Sequence, residues 1–432
     1  MSKVISIAAL ASVIFCASFT AQADWYSPKG EVFDDGLRLL VDESDSGHAA
    51  IRVIVFGGAI HEAKNQRGLA DITAQVLVKP VASSTTSKSI HTLSSRLDRV
   101  GARLKVLTGL DYTVFSLDAP KQSIIEAFDL LLSNLSSPSI SLDRIKSEVL
   151  LRSRTVFASS GDDLSANLSS NLYRFEEENL LDPTRTSSQG IDQNSVLNFY
   201  RTYYRPDRIF VLATGGVSSS NVRGALKSRM LLPMPDNKTV FITSTSTSIL
   251  AKPQLPVRQL GLATPRQLIY GFEACNVLAE DTAACVVLGE ILRRKAESKL
   301  QTQFKTNISV DGGYVMLPRD GFLALRVQSG KWKGVPKELT KIALSLSRNL
   351  NGQDLEEAKK AMSARVAWKR AHPGLLADHY VNLALTGRRD PVDYESLEND
   401  IRDVGLAEIR ATANKYLSED KSFVLKLTPV MK

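Results

Sequence analysis

A proline-studded, hydroxyl-rich interruption splits this chain into two stretches that run through the same order of elements. Pro233, Pro235, Pro253, Pro256 and Pro265 surround the tract Thr243-Ser244-Thr245-Ser246-Thr247-Ser248. Proline withholds backbone donors and a Ser/Thr run has little to bury, so residues 235–265 are predicted to be a linker or an extended crossing segment. Before it, 36–41 and 50–56 read as two strands of a hairpin, followed by a helix over 68–78. A second helix is expected over 89–100, with Leu93, Leu97 and Val100 at helical spacing. Residues 102–107 and 112–119 alternate like antiparallel strands around Gly109. Helices are expected at 121–136, 141–158 and 165–178, and a strand at 209–214. After the interruption the order restarts. A strand at 266–272 leads to a helix at 282–292 and a strand pair at 314–317 and 322–328. Helices follow at 336–349, 354–370, 375–386 and 407–416, with a last strand at 422–427. The order repeats, not the residues. Strands mixed with helices and antiparallel hairpins predict α+β, in two similar domains over 24–234 and 266–432, and not doubly wound α/β.

The 432 residues carry a formal net charge of +8. No run of five Lys/Arg and no interleaving of aromatic with basic residues supports a nucleic-acid partner. Residues 1–23 have the form of a secretory signal: Lys3, a mostly apolar 4–19, and Ala21-Gln22-Ala23 as a small-x-small cleavage site. Ser6, Ser12 and Ser18 make that stretch too polar for a membrane span, and no other segment approaches about 18 uninterrupted apolar residues. Val13-Ile14-Phe15 before Cys16 is too bulky for a lipoprotein signal. Cleavage after Ala23 would leave a periplasmic or secreted chain beginning at Asp24. It would retain Cys275 and Cys285, as a disulfide or as two small buried thiols. Without neighbouring histidines they make a poor zinc site.

Few clusters carry chemistry. His48, His61, His91, His372 and His379 are scattered. The last two could share a helix face but read as surface residues. Ser159-Ser160-Gly161-Asp162-Asp163 reads as a helix break, because it lacks the strand-Ser-helix setting of a nucleophile elbow. Gly215-Gly216 reads as a strand end, since no Gly-Lys-Ser/Thr follows it. The informative stretch is Gly68-Leu69-Ala70-Asp71-Ile72-Thr73-Ala74-Gln75-Val76. Around it stand Phe33-Asp34-Asp35-Gly36-Leu37-Arg38, Gly57-Gly58-Ala59-Ile60-His61-Glu62, and Tyr203-Tyr204-Arg205-Pro206-Asp207 before the apolar 211–216. Later come Glu290-Ile291-Leu292 to Ser298-Lys299-Leu300, Leu355-Glu356-Glu357-Ala358-Lys359 and the run 407–417. In order and spacing this series resembles the insulinase-like metallopeptidases of the M16 family, over nearly the whole mature chain.

In that family the helix reads Gly-Leu-Ala-His-x-x-Glu-His. Two histidines bind zinc and the glutamate activates water. Here Asp71, Ala74 and Gln75 take those places. Gln is a neutral, weak donor and Ala accepts no proton, so neither metal nor base is supplied. The family's third ligand is a glutamate on a later helix; in the corresponding helix Arg144 stands nearest, with Asp143 and Glu148 beside it. Active members also hold the scissile carbonyl with an Arg and a Tyr, seven apart, from the second domain. Spacing from Ser298-Lys299-Leu300 puts Lys305 and Gly312 there, with Tyr314 two residues beyond. Lys305 and Tyr314 are the candidate substrate contacts, although Lys lacks the planar fork of Arg. Arg293-Arg294-Lys295-Ala296-Glu297 replaces the glycine-rich loop of mitochondrial processing-type α subunits and reads as a solvated helix end.

The resemblance implies two M16-type domains closing as a clamshell on a peptide chamber, where peptides add to a sheet edge as an extra strand. It implies a subunit without catalytic residues, metal or cofactor. Such a subunit would bind peptide and pair as a heterodimer with an active zinc-bearing homologue. Two other readings stay open. One is a stand-alone peptide-binding scaffold, for instance a homodimer. The other is a metallopeptidase with a displaced site of Asp71, Asp143 and Glu148, carboxylates that favour a hard cation over zinc.

Overall fold

The computed structural model describes residues 28–78, 92–109, 111–137, 140–152, 190–228, 258–260, 267–304, 308–316, 320–328, 333–391 and 393–429. The first domain contains β1 (Lys29–Val32), β2 (Arg38–Glu43), β3 (His48–Val55), α1 (Leu69–Val78), α2 (Leu93–Arg99), β4 (Arg103–Thr108), β5 (Thr113–Pro120), α3 (Ile124–Ser136), α4 (Leu142–Arg152), α5 (Gln193–Tyr203), β6 (Ile209–Gly215) and α6 (Ser219–Ser228). The second contains β7 (Arg258–Leu260), β8 (Gln267–Ala274), α7 (Thr282–Phe304), β9 (Ser309–Met316), β10 (Gly321–Gln328), α8 (Val335–Asn349), α9 (Gly352–Arg370), α10 (Pro373–Leu385), α11 (Asp393–Asp403), α12 (Leu406–Tyr416) and β11 (Ser422–Pro429).

The repeated order seen in the sequence is a repeated topology. The first sheet runs β1-β2-β6-β3-β5-β4 and the second β7-β11-β8-β10-β9. In each, the domain's last strand lies parallel to an outer strand, β2 with β6 and β7 with β11, and antiparallel to the central one. Apart from β1 the two orders are the same, which makes the fold two similar α+β domains. The expected hairpin of 36–41 with 50–56 is not formed, because β6 inserts between β2 and β3. All seven residues of β6 are buried. A strand so apolar is best covered in the middle of a sheet, with a ladder on both edges. The segment read as a linker contributes β7 to the second sheet.

The strands of the first sheet read as continuous apolar runs because both faces are covered. Leu39, Ile51, Val53, Phe115, Leu117 and Val211 face the domain's own helices, against Ile72, Val76, Phe128, Leu131 and Phe199. On the other face Leu40, Ile54, Phe210 and Leu212 join Leu376, Tyr380 and Leu383 of α10 in a core shared with the second domain. Two buried charged residues interrupt that face, and both fasten the domains. Asp42, 1% exposed, accepts from the Tyr380 hydroxyl at 2.7 Å and from Arg370 at 3.3 Å. Burial raises its pKa against the opposing pull of Tyr380 and Arg370. Arg52 Nε donates to Asp378 at 2.7 Å, Nη1 to Asp118 at 3.0 Å and Nη2 to the Gly374 carbonyl at 3.2 Å. Thr214 adds a hydrogen bond to the Pro373 carbonyl at 2.7 Å.

Three further expectations are corrected. α7 continues to Phe304, well past residue 292. The basic triplet is therefore mid-helix and not at a helix end. His379 is not a surface residue; it lies half-buried 3.4 Å from the buried Glu398, and burial lowers its pKa. Helices α5, α6 and α11 were not read from the sequence at all. The Ser159–Asp163 segment and the expected helix at 165–178 lie outside the described residues.

Candidate functional site

The site is assembled where β3 leaves the first sheet. Phe56 is followed by Gly57, where a Cβ would come within 2.6 Å of the Tyr203 side chain, so this turn requires glycine. The chain reverses and enters α1 through Gly68 at φ +91°, a left-handed conformation that glycine adopts without strain. Glu62, 7% exposed, caps the helix. Its Oε2 accepts from Gly68 N and its Oε1 from Ala70 N, both at 2.8 Å. A carboxylate there satisfies two orphan donors and favours the positive end of the helix. Arg67 is buried beside it and donates to the Ala59 carbonyl at 3.4 Å.

The three diagnostic positions follow. Asp71 is buried, and its Oδ1 accepts from Gln75 Nε2 at 3.3 Å and from Thr108 Oγ1 at 3.3 Å. Thr108 ends β4 and stands 3.4 Å from Thr113, whose hydroxyl donates to the Gly57 carbonyl at 3.0 Å. Asp71 and Gln75 therefore bond to each other across one helical turn and tie α1 to the neighbouring hairpin. Ala74 between them is fully buried. This donor set does not fit a catalytic zinc. It offers one carboxylate already bonded to an amide and a hydroxyl, a weak amide oxygen, and a methyl group where a base would stand.

The later helix reinforces the misfit. Arg144 Nη1 donates to the Val76 carbonyl at 3.0 Å, and burial lowers its pKa while Glu148 opposes the shift. A guanidinium thus sits against the last turn of α1. Glu148 is buried and Asp143 exposed. Among the described residues, the one group of three donors close enough for a metal is Cys275, Asp281 and Cys285 in the second domain. Asp71, Asp143 and Glu148 do not converge. Cys275 and Cys285 are paired with each other, their Cα atoms 6.8 Å apart.

In the second domain Lys305 lies outside the described residues. Tyr314, in β9, donates its hydroxyl to the Cys275 carbonyl at 2.8 Å, and burial raises its pKa well above the usual tyrosine range. Gly312 has φ +116° and Gly313 φ +133°, so the strand there is built for glycine. A Cβ on Gly289 would fall 2.3 Å from Tyr314 N; α7 packs backbone against backbone on β9. The basic triplet is engaged along α7. Arg293 bonds Glu290 at 2.8 Å and Glu297 at 3.0 Å, Arg294 meets Glu357 at 3.2 Å, and Lys295 pairs with Asp354. Sequence reasoning did not single out the capping role of Glu62 or the clamps at Asp42 and Arg52. A lone charge inside an apolar strand, as in Leu40-Val41-Asp42 and Ile51-Arg52-Val53, was the available signal.

These features define a two-domain α+β scaffold of the metallopeptidase type with a closed, hydrogen-bonded helix where a metal site would stand. Comparison with known proteins identifies the family of the scaffold. Residues 39–184 match the family described as Insulinase (Peptidase family M16), and 190–362 match Peptidase M16 inactive domain. The chain belongs to peptidase family M16. It is 19% identical over 408 residues to a Bacillus subtilis protein named Uncharacterized zinc protease YmxG, covering 90% of this chain and 96% of that one. It is 22% identical to the mitochondrial-processing peptidase subunit beta of Caenorhabditis elegans, over 51% of this chain and 49% of that one. A Helicobacter pylori protease superposes with TM-score 0.70 at 14% identity, covering 94% of this chain and all of its own. A peptidase M16 inactive domain from Pseudomonas fluorescens gives 0.64 at 16% identity, covering 94% and 98%.

Proposed function

We propose that this protein is a catalytically silent M16 subunit. It binds extended peptide and completes the chamber of an active, zinc-bearing M16 partner in the periplasm, after removal of residues 1–23. The observation that carries this reading is α1: Asp71 is bonded to Gln75 and Thr108, and Ala74 is buried at the base position. With no zinc donor set and a methyl group at the base position, the usual route to activated water is missing. The sheet beside the helix is continuous among the described residues. β4 closes the first sheet without a further strand on its outer side among the described residues, and such an edge can accept a peptide as an added strand. Among those residues no helix is long and apolar enough to cross a membrane.

The test is purification of the exported protein from its source without chelators. Zinc content, hydrolysis of unfolded peptides and native mass are then measured. The expected result is a complex with an M16 chain bearing an intact His-x-x-Glu-His, with activity lost when that chain is removed. One zinc bound to this chain alone, together with peptide hydrolysis, overturns the proposal. A stable homodimer without an M16 partner would support the stand-alone scaffold instead.

A further inference from the structure

The outer strand beside the closed helix carries an unusual face. In β4, Leu104 and Val106 pair with Leu117 and Phe115 and turn toward the first domain's own core. Arg103, Lys105 and Leu107 point the other way, to the side on which α10 lies, and all three are exposed, Leu107 by 61%. Neither Arg103 nor Lys105 makes a hydrogen bond or ion pair among the described residues, whereas their neighbour Asp118 is held by Arg52. Among the described residues the first sheet thus ends in an open edge with two unpaired cations on one face, at alternate positions about 7 Å apart. An apolar side chain follows, just before Thr108 reaches Asp71.

We propose that β4 reads charge in the peptide that adds to it, and that its preferred occupant is an extended acidic segment. This inference rests on the peptide-binding function proposed above. A strand added antiparallel continues the pairing of β4 with β5, and its directly opposed residues alternate faces in step with those of β4. The residues facing Leu107, Lys105 and Arg103 then read, from N to C, apolar-x-acidic-x-acidic. Main-chain bonds supply sequence-independent affinity, and the two cations supply the preference. Basic side chains at the same positions place like charges opposite each other, which is unfavourable. Each exposed pair contributes little, so the preference is roughly 2- to 30-fold in Kd. It fades as salt is raised from about 0.1 M to about 1 M.

The experiment measures binding of fluorescent peptides to the purified protein. The peptides carry Leu-x-Glu-x-Glu, Leu-x-Gln-x-Gln or Leu-x-Lys-x-Lys, in versions N-methylated at alternate residues in either phase. The expected affinity order is Glu over Gln over Lys, with binding lost for one methylation phase only. The order should reverse in Arg103→Glu/Lys105→Glu and flatten in Arg103→Gln/Lys105→Gln, with circular dichroism unchanged in both. Phase-dependent binding of all three peptides with equal affinity overturns the charge reading and leaves the peptide-binding function standing; the cations would then act only to guard the edge against strand pairing between copies. Binding of none of the peptides overturns both.

Discussion

Two helices occupy the same place in one topology and are held there by opposite means. α1 follows the central strand of the first sheet and α7 that of the second, and each packs beside the outer hairpin of its sheet. α1 is short and almost wholly buried, fixed by the Glu62 cap at its start and the Asp71–Thr108 bond at its side. α7 is 23 residues long and carries a ladder of ion pairs from Glu290 to Lys295, three of them reaching α9. In both helices these polar groups find partners inside the chain. One topology thus holds its first helix by a cap and a shared carboxylate and its second by ion pairs.

The largest test of that contrast is to restore a base. Ala74→Glu would place a carboxylate at a position with no solvent exposure. Overpacking and burial of an unpaired charge together should cost about 3 kcal/mol or more, read as a lowered urea midpoint. An unchanged midpoint would mean that the helix face still opens to solvent, and the description of a closed site would fall. Next comes the cap. Glu62→Ala removes the acceptor for Gly68 N and Ala70 N and should cost about 2 kcal/mol, with Glu62→Gln recovering part of it. A loss below about 0.5 kcal/mol would show that water serves equally well as a cap.

The matching change in α7 should be milder. Glu290 is 4% exposed, but its partners Arg293 and Arg365 are 17% and 46% exposed, so solvent screens the pair. Glu290→Gln is expected to cost about 1 kcal/mol. Its pH dependence fixes the sign. Burial alone would raise the Glu290 pKa, but Arg293 and Arg365 outweigh it and hold the carboxyl below its usual 4.5. A depressed carboxylate stabilises the fold above its unfolded pKa, and that contribution disappears as pH falls from there through the folded value. Buried Asp42 is the opposite case. Its raised pKa makes its contribution fully present below the unfolded value and lost as pH rises through the folded one. Stability profiles of Glu290→Gln and Asp42→Asn should therefore diverge from the parent in opposite directions in the acid range. Parallel profiles would remove the electrostatic half of the comparison.

The sequence carried much of this contrast, but not evenly. The repeated order of elements and the span of α1 were legible. They rest on local periodicity and on single positions at fixed spacing. The insertion of β6 between β2 and β3 was not, because parallel pairing across some 170 residues leaves no local trace in either strand. Nor was the length of α7. Arg293-Arg294-Lys295 reads as a solvated end until the partners Glu357 and Asp354, distant in sequence, are seen beside it. The same limit applied to Tyr314, whose hydroxyl is held by a carbonyl that no spacing rule could locate.

The smallest effect is the most specific to α1. Thr108 Oγ1 and Gln75 Nε2 share Asp71 Oδ1. Either Thr108→Ala or Gln75→Ala alone should cost about 0.5–1 kcal/mol, because the carboxylate keeps the other donor. Removing both leaves Asp71 without these two donors, so the double variant should lose more than the sum, with a coupling of about 0.5 kcal/mol or more. α7 offers a control of the same form. Arg293→Ala and Arg365→Ala both act on buried Glu290, but Arg365 is 46% exposed and solvent screens its pair, so their coupling should be smaller. Additive behaviour in α1 with coupling in α7 would reverse the ranking of the two shared acceptors, Asp71 and Glu290.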